Sequence, residues 1–271
     1  MEHCASAFEP LFPCLCGWMS CCDSRVVWRA DDDNDGAVSD AVALTIDDVP
    51  RKGMKVSDVL ELMLLLRQRR ARVTFFVFFD RLNPKPDDPP EVHMMVNTFV
   101  DQVKIDGHEI GLHFPGRWGS QMSTLELKWR VEKSLQIARR RYNLPIRHLR
   151  MPGGFSTPAQ VSLLESYDLT VVNGTAYPGD ADVCQCLSAA ALGRFAARLA
   201  RRDGRIAILH DDKRLIAKLA SFLRYLQAHG QRSVTLFELL GPGPKRVSAK
   251  AAMDREPGQP TGALSPLFLP F

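Results

Sequence analysis

The chain has 271 residues, 45% hydrophobic and 24% charged, an ordinary balance for a folded globular protein. Its 35 basic and 31 acidic side chains leave a net charge of +4, too mild to argue for nucleic acid as a partner. No run reaches the ~20 apolar residues of a membrane span.

The elements expected in chain order begin after a Cys-rich and acidic extension, residues 1–39, and DDDNDGAVSD (31–40) is a solvated linker. AVALTI (41–46) is a strand that runs into Asp47-Asp48. Ser57 caps a helix reaching Arg70, with Val59, Leu60, Met63, Leu64 and Leu66 among its apolar residues. VTFFVFF (73–79) is a buried strand, 91–105 a helix and EIGLH (109–113) a short strand. Ser123 and Glu126 form a capping box for a helix to about Arg141. RHLR (147–150) is a strand, and Thr157-Pro158 opens a helix with proline at its first position. LTVVN (169–173) is a strand, 188–202 a helix, RIAILH (205–210) a strand, 213–229 a helix and SVTLF (233–237) a last strand. Residues 242–271, rich in Pro, Gly and small polar residues, are a disordered tail.

Seven β–α repeats within residues 40–241 predict an α/β domain with a parallel sheet, closed as a barrel or open and doubly wound. In a barrel the chemistry sits at the C-terminal ends of the strands. There the chain places Asp47-Asp48, His113, Arg150, Asp180 with Asp182, and His210-Asp211. Any one of these could cap a loop or pair with a neighbouring charge. Five of seven strand ends carrying them is what points to a site.

TIDD, ARVTFFVF, GHEIGLH, RMPGG and GRIAILHD occur in one order along the chain. In that order and spacing they resemble the motifs of the NodB-homology polysaccharide deacetylases, carbohydrate esterase family four, across about residues 40–240. The resemblance implies a distorted (β/α)7 barrel. It also implies a metal-dependent hydrolase that cleaves the N-acetyl amide of an amino sugar or polysaccharide, or a similar amide. By motif, Asp47 is the general base, Asp48 and His113 are metal ligands, and Arg150 orients Asp47. His210 is the acid that protonates the leaving amine. An acid at 180–182 tunes His210, with Asp180 placed among the substrate contacts. A backbone N–H at Gly153–Gly154 helps hold the oxyanion, and the cofactor is a divalent ion: zinc, cobalt or manganese.

The motifs depart from the family in three places. Its metal site takes a second histidine four residues after the first, where this chain has Arg117, and a guanidinium stays protonated and cannot ligate. RMPGG lacks the usual aromatic residue, and GTAYPGDAD stands where an Asp-Trp pair is usual. Period-two alternation turns His108 away from His113 and sets Glu109 far along the strand; Asp180 or Asp182 could reach in from a loop, and Asp48 and His113 completed only by waters would bind zinc weakly. The alternative function is therefore a catalytically inactive carbohydrate-binding or scaffold barrel.

The seven cysteines are Cys4, Cys14, Cys16, Cys21, Cys22, Cys184 and Cys186. They are odd in number and lack paired spacings, so they read as reduced thiols and not as a disulfide framework or zinc knuckle. With no basic segment leading into a long apolar one, the expectation is a soluble monomer, and the reduced thiols favour an intracellular compartment.

Overall fold

The computed structural model describes residues 23, 25–27, 40–116, 118–174, 176–180, 187–203 and 205–241. All seven cysteines, Arg117, Asp182, the acidic run 31–39 and the expected tail 242–271 lie outside the described residues. The elements are β1 (Ala41–Val49), α1 (Val56–Gln68), β2 (Thr74–Phe78), α2 (Pro90–Ile105), β3 (Glu109–His113), α3 (Thr124–Tyr142) and β4 (His148–Arg150). They continue as α4 (Pro158–Glu165), β5 (Thr170–Val171), α5 (Ala189–Asp203), β6 (Ile206–His210), α6 (Leu215–Ala228), β7 (Arg232–Val234) and α7 (Leu236–Leu240). Every named strand pairing is parallel, in the order β5-β4-β3-β2-β1-β6 with β7 against the start of β1. The sheet curls until Ala176, beyond β5, bridges Ala207 of β6. The result is the distorted α/β half-barrel that the repeats and motifs imply. Of the N-terminal extension, Val27 pairs with Val172 beside β5, and Arg25 is tied to Ser162 and Glu165 of α4.

Side chains alternate across the sheet with period two. Val42, Leu44, Ile46, Phe75 and Val77 pack outward into the main core beneath the helices, whereas Ala43 and Phe76 belong to a separate inner cluster with Val172, Ile206 and Leu236. The barrel interior is therefore layered. At its N-terminal end Glu109 accepts Thr74 Oγ1 at 2.8 Å and the Phe237 N–H at 3.0 Å, and is paired with His148. In the middle the Phe76 ring takes the space that Gly111 leaves, since a Cβ on Gly111 would lie 2.7 Å from that ring. Polar residues fill the C-terminal layer.

Two expected boundaries are corrected. SVTLF is not a strand through Phe237: β7 stops at Val234, and Thr235 caps α7 by accepting the Glu238 N–H at 3.1 Å. That capping box turns Leu236 into the inner cluster and closes the bottom of the barrel. The first helix starts at Val56, ahead of Ser57, because Asp58 accepts the Lys55 N–H at 3.1 Å and so sets the cap two residues earlier. Ser123, by contrast, caps α3 as expected, accepting the Glu126 N–H at 3.1 Å. Among the described residues no helix is long and apolar enough to cross a membrane.

Helices α5 and α6 meet at Gly193, where a Cβ would lie 2.2 Å from the Lys218 carbonyl oxygen. The contact holds α6 close enough to carry Lys218 under the site. Gly193→Ala should push the helices apart and lower stability by ~1–3 kcal/mol, the usual cost of overpacking, as read by urea denaturation.

Candidate functional site

The register sets the site residues at one level. Asp47 of β1 is paired with His210 of β6, Phe78 of β2 with His113 of β3, and His113 with Arg150 of β4. His113 and His210 thus share the C-terminal end of the barrel.

The two aspartates face the site together because β1 is bulged there. Between Ile46 and Val49 the strand advances three residues against two of β2. Asp48 within this bulge has φ 68°, a left-handed conformation that costs a non-glycine residue of order 1–3 kcal/mol. Asp47 points inward and is 2% exposed, while the Asp48 side chain is 40% exposed at the rim. Asp211 braces the turn that follows. Its N–H donates to the Asp47 carbonyl at 3.0 Å, and its enclosed carboxylate accepts the Arg51 N–H at 2.8 Å and guanidinium at 3.0 Å. Burial raises the Asp211 pKa, against the lowering effect of Arg51.

Arg150 reaches across the barrel from β4 to β1. Its Nη1 donates to Asp47 Oδ1 at 2.6 Å and to Thr45 Oγ1 at 2.7 Å, its Nη2 to the Asn173 carbonyl at 2.6 Å, and its Nε to the Val172 carbonyl at 3.1 Å. The guanidinium lies 4.3 Å from the centre of the Phe76 ring. Burial lowers its pKa while Asp47 holds it up; at any ordinary pH an arginine stays charged.

His113 Nδ1 donates to the Arg150 carbonyl at 2.7 Å, which fixes the tautomer and leaves the Nε2 lone pair toward Asp48. Nε2 and Asp48 Oδ1 are 3.6 Å apart. That is long for a hydrogen bond, and it is close to the separation of two atoms held tetrahedrally at ~2.0–2.2 Å by one zinc ion. Among the described residues no third His, Cys, Asp or Glu completes the group, and Arg117 lies outside them.

His210 Nδ1 donates to Asp180 Oδ1 at 2.9 Å, and its N–H donates to Asp180 Oδ2 at 3.0 Å. Burial alone would lower the His210 pKa. The Asp180 hydrogen bond and the charges of Asp47, Asp180 and Asp48 outweigh it and raise the value. Asp180, expected from the sequence among the substrate contacts, as the tuning acid or as a replacement ligand, has no exposed side-chain surface and gives its oxygens to His210 and Lys218. Burial works to raise its pKa, but His210 and Lys218 pull it down to about 2.

Three contributors escaped the sequence reading. Lys218, with no exposed surface, donates to Asp180 Oδ2 at 2.5 Å and to the His210 carbonyl at 2.8 Å. A lysine on the apolar face of α6, between Leu215 and Phe222, was the available signal. Thr45 hides in an apolar strand. Asn173 looked like a turn residue but donates from Nδ2 to the Gly154 carbonyl at 2.9 Å, tying β5 to the RMPGG turn. In that turn the Gly154 N–H is spent on the Met151 carbonyl at 2.9 Å, so Gly153 is left as the oxyanion candidate. His108 and Glu109 lie away from the site. His108 accepts the Val73 N–H at 3.3 Å, and burial lowers its pKa to about 4.

No protein-family profile and no curated protein sequence matches the chain. Solved structures do match. A family 4 carbohydrate esterase from Streptomyces lividans, in complex with acetate, superimposes with TM-score 0.57 at 21% identity over 73% of this chain and 93% of that one. A peptidoglycan deacetylase from Bacillus subtilis gives TM-score 0.55 at 19% identity, over 74% and 90% of the two chains. A family 4 pseudoenzyme from Bacillus anthracis gives 0.59 at 15%, over 80% and 69%. The chain has the carbohydrate esterase family four fold. That is the fold implied by the motifs TIDD, GHEIGLH and RMPGG.

Two measurements test this layer of the barrel. Arg150→Met leaves Asp47 buried and unpaired, and should cost ~3–5 kcal/mol in equilibrium denaturation, part of it recovered by adding Asp47→Asn. The His210–Asp180 pair carries a pH signature. A histidine with a raised folded pKa contributes fully below the unfolded value of ~6.5 and loses its contribution as pH rises through the folded value. Asp180, at about 2 against an ordinary 3.8, contributes above the ordinary value and loses that as pH falls toward 2. The stability of wild type over Asp180→Asn should therefore peak between pH ~4 and ~6.5 and shrink on both sides, in a pH series of denaturation curves.

Proposed function

We propose that the chain is a divalent-metal-dependent amidohydrolase that removes the N-acetyl group from an amino sugar, free or within a polysaccharide. The observation that carries the reading is the 3.6 Å approach of Asp48 Oδ1 to His113 Nε2, with the Asp47–Arg150 and His210–Asp180 pairs at the same barrel end. The fold is shared with a peptidoglycan deacetylase and with a family 4 carbohydrate esterase in complex with acetate, the product such a reaction releases.

Asp48 and His113 would hold a zinc, cobalt or manganese ion, with water or a further side chain completing the set. Such an ion supplies polarisation of the amide carbonyl and a lowered pKa for water. Asp47 takes the proton as water attacks the acetyl carbon; Arg150 fixes that carboxylate through one oxygen. Gly153 offers its N–H to the developing oxyanion. His210, held by Asp180 through Nδ1, keeps Nε2 for the substrate. Its raised pKa retains a proton near neutral pH, and that proton passes to nitrogen as the C–N bond breaks. Acetate and a free amine leave.

Purified protein should bind zinc, cobalt or manganese and release acetate from N-acetylated sugar oligomers. Asp47→Asn should abolish release with the metal still bound. Arg117→His, which restores the ligand usual in the family, should tighten metal binding by an order of magnitude or more. Absence of metal binding in both wild type and Arg117→His would discard the hydrolase reading and leave the inactive carbohydrate-binding barrel.

A further inference from the structure

The ligand pair is held from behind by a residue that no motif contains. Arg81 lies on the turn after β2, its N–H donating to the Phe78 carbonyl at 2.8 Å. Its Nη1 donates to two carbonyl oxygens of the bulge, Asp48 at 2.8 Å and Pro50 at 2.7 Å. Its guanidinium lies 4.3 Å from the centre of the Phe78 ring, and that ring stacks on the His113 imidazole at 5.3 Å with an interplanar angle of 11°. One side chain thus touches the backbone of one ligand and, through a single aromatic ring, the plane of the other.

We propose that Arg81 is a positioning residue for the cation site: it holds Asp48 in its left-handed conformation and, by way of Phe78, sets the plane of His113. The proposal rests on the reading of Asp48 and His113 as ligands. Two physical arguments carry it. Asp48 adopts φ 68°, which the chain must be made to accept, and two charge-assisted hydrogen bonds onto the carbonyls flanking Val49 add to the brace that Asp211 gives the turn. Among the described residues the His113 ring has one hydrogen bond, at Nδ1, and the stacked Phe78 ring adds a restraint on its plane. Lysine cannot do both jobs. It keeps the charge, but it is a point donor without the flat face that lies over Phe78.

A competing effect runs the other way. A fixed cation near the carboxylate repels a metal ion, so loss of Arg81 raises affinity if charge dominates and lowers it if positioning dominates. The test uses full-length protein in four forms: wild type, Arg81→Met, Arg81→Lys and Phe78→Leu. Cobalt affinity is read from its visible absorption, melting temperature is recorded for each, and metal-free crystal structures are determined. Positioning predicts a ~10–100-fold loss of cobalt affinity in Arg81→Met, the range usual for groups that orient metal ligands, and a smaller loss in Arg81→Lys and Phe78→Leu. It also predicts that metal-free Arg81→Met shows Asp48 out of the left-handed region and the carboxylate moved away from His113.

Equal or tighter cobalt binding by folded Arg81→Met would overturn the proposal. So would a lowered melting temperature with affinity unchanged, which is what a purely structural arginine gives. Should wild type bind no metal, the ligand reading fails by itself, and the metal-free structures decide Arg81: an Asp48–His113 geometry unaltered in Arg81→Met rejects its role. If Arg81→Met does not fold, Arg81→Lys and Phe78→Leu carry the same comparison, and wild-type affinity in both rejects it.

Discussion

A buried ion pair thrown across the barrel is the constraint on which the site depends. Arg150 comes from β4 and Asp47 from β1, with β2 and β3 between them, so their contact at 2.6 Å fixes the curvature of the sheet as well as a side-chain position. Neither charge can stay in that interior alone, because removing one partner leaves the other desolvated and unpaired. The guanidinium also donates to Thr45 Oγ1 and to the Val172 and Asn173 carbonyls, which pulls β5 and the RMPGG turn into the same network. Its backbone carbonyl takes the His113 Nδ1–H. The Asp47 carboxylate, the guanidinium and the His113 ring are thereby one hydrogen-bonded object.

The second half of the site is built around a separate buried carboxylate. Asp180 has three calls on its oxygens, the imidazole and N–H of His210 and the ammonium of Lys218. His210 and Lys218 together lower the Asp180 pKa, and Asp180 in turn raises that of the imidazole. The lysine is held there by helix packing at Gly193, so a structural contact in α5 reaches the protonation of a residue on β6. Polarity is otherwise rationed in this barrel. The layer below is the Phe76 ring in the space of Gly111, and the Glu109–His148 pair lies on the far side of it, well removed from the chemistry.

Much of this was legible in the residues. Regular alternation of β-branched runs with capped helices foretold the parallel sheet, and Ser123 and Thr157 marked two helix starts through side chains that accept N–H groups three residues on. The polar residues at the strand ends named Asp47, Asp48, His113, Arg150 and His210, since a polar residue closing an apolar run has few structural reasons to be there. Where reading failed, a local pattern had two physical solutions. SVTLF has strand composition, yet the Thr235–Glu238 capping box turns it into a helix that plugs the barrel. Lys218 sits within an apolar helix face and has no local cue to its partner, and Arg81 looks like a surface loop residue.

The sequence by itself determined which residues meet at one end of the barrel, because strand alternation and strand order are local consequences of side-chain pattern. It determined also that the ligand set departs at Arg117 from the family it resembles. Only the tertiary structure decided how those residues are paired. That Asp47 and Asp48 both face the site follows from a bulge against β2, not from any property of two adjacent aspartates. That Asp180 serves His210, that Lys218 serves Asp180 and that Arg81 reaches Asp48 are contacts across 30 or more positions of chain. Their energies come from burial, which takes water away from each charge and makes the nearest opposite charge the only available partner.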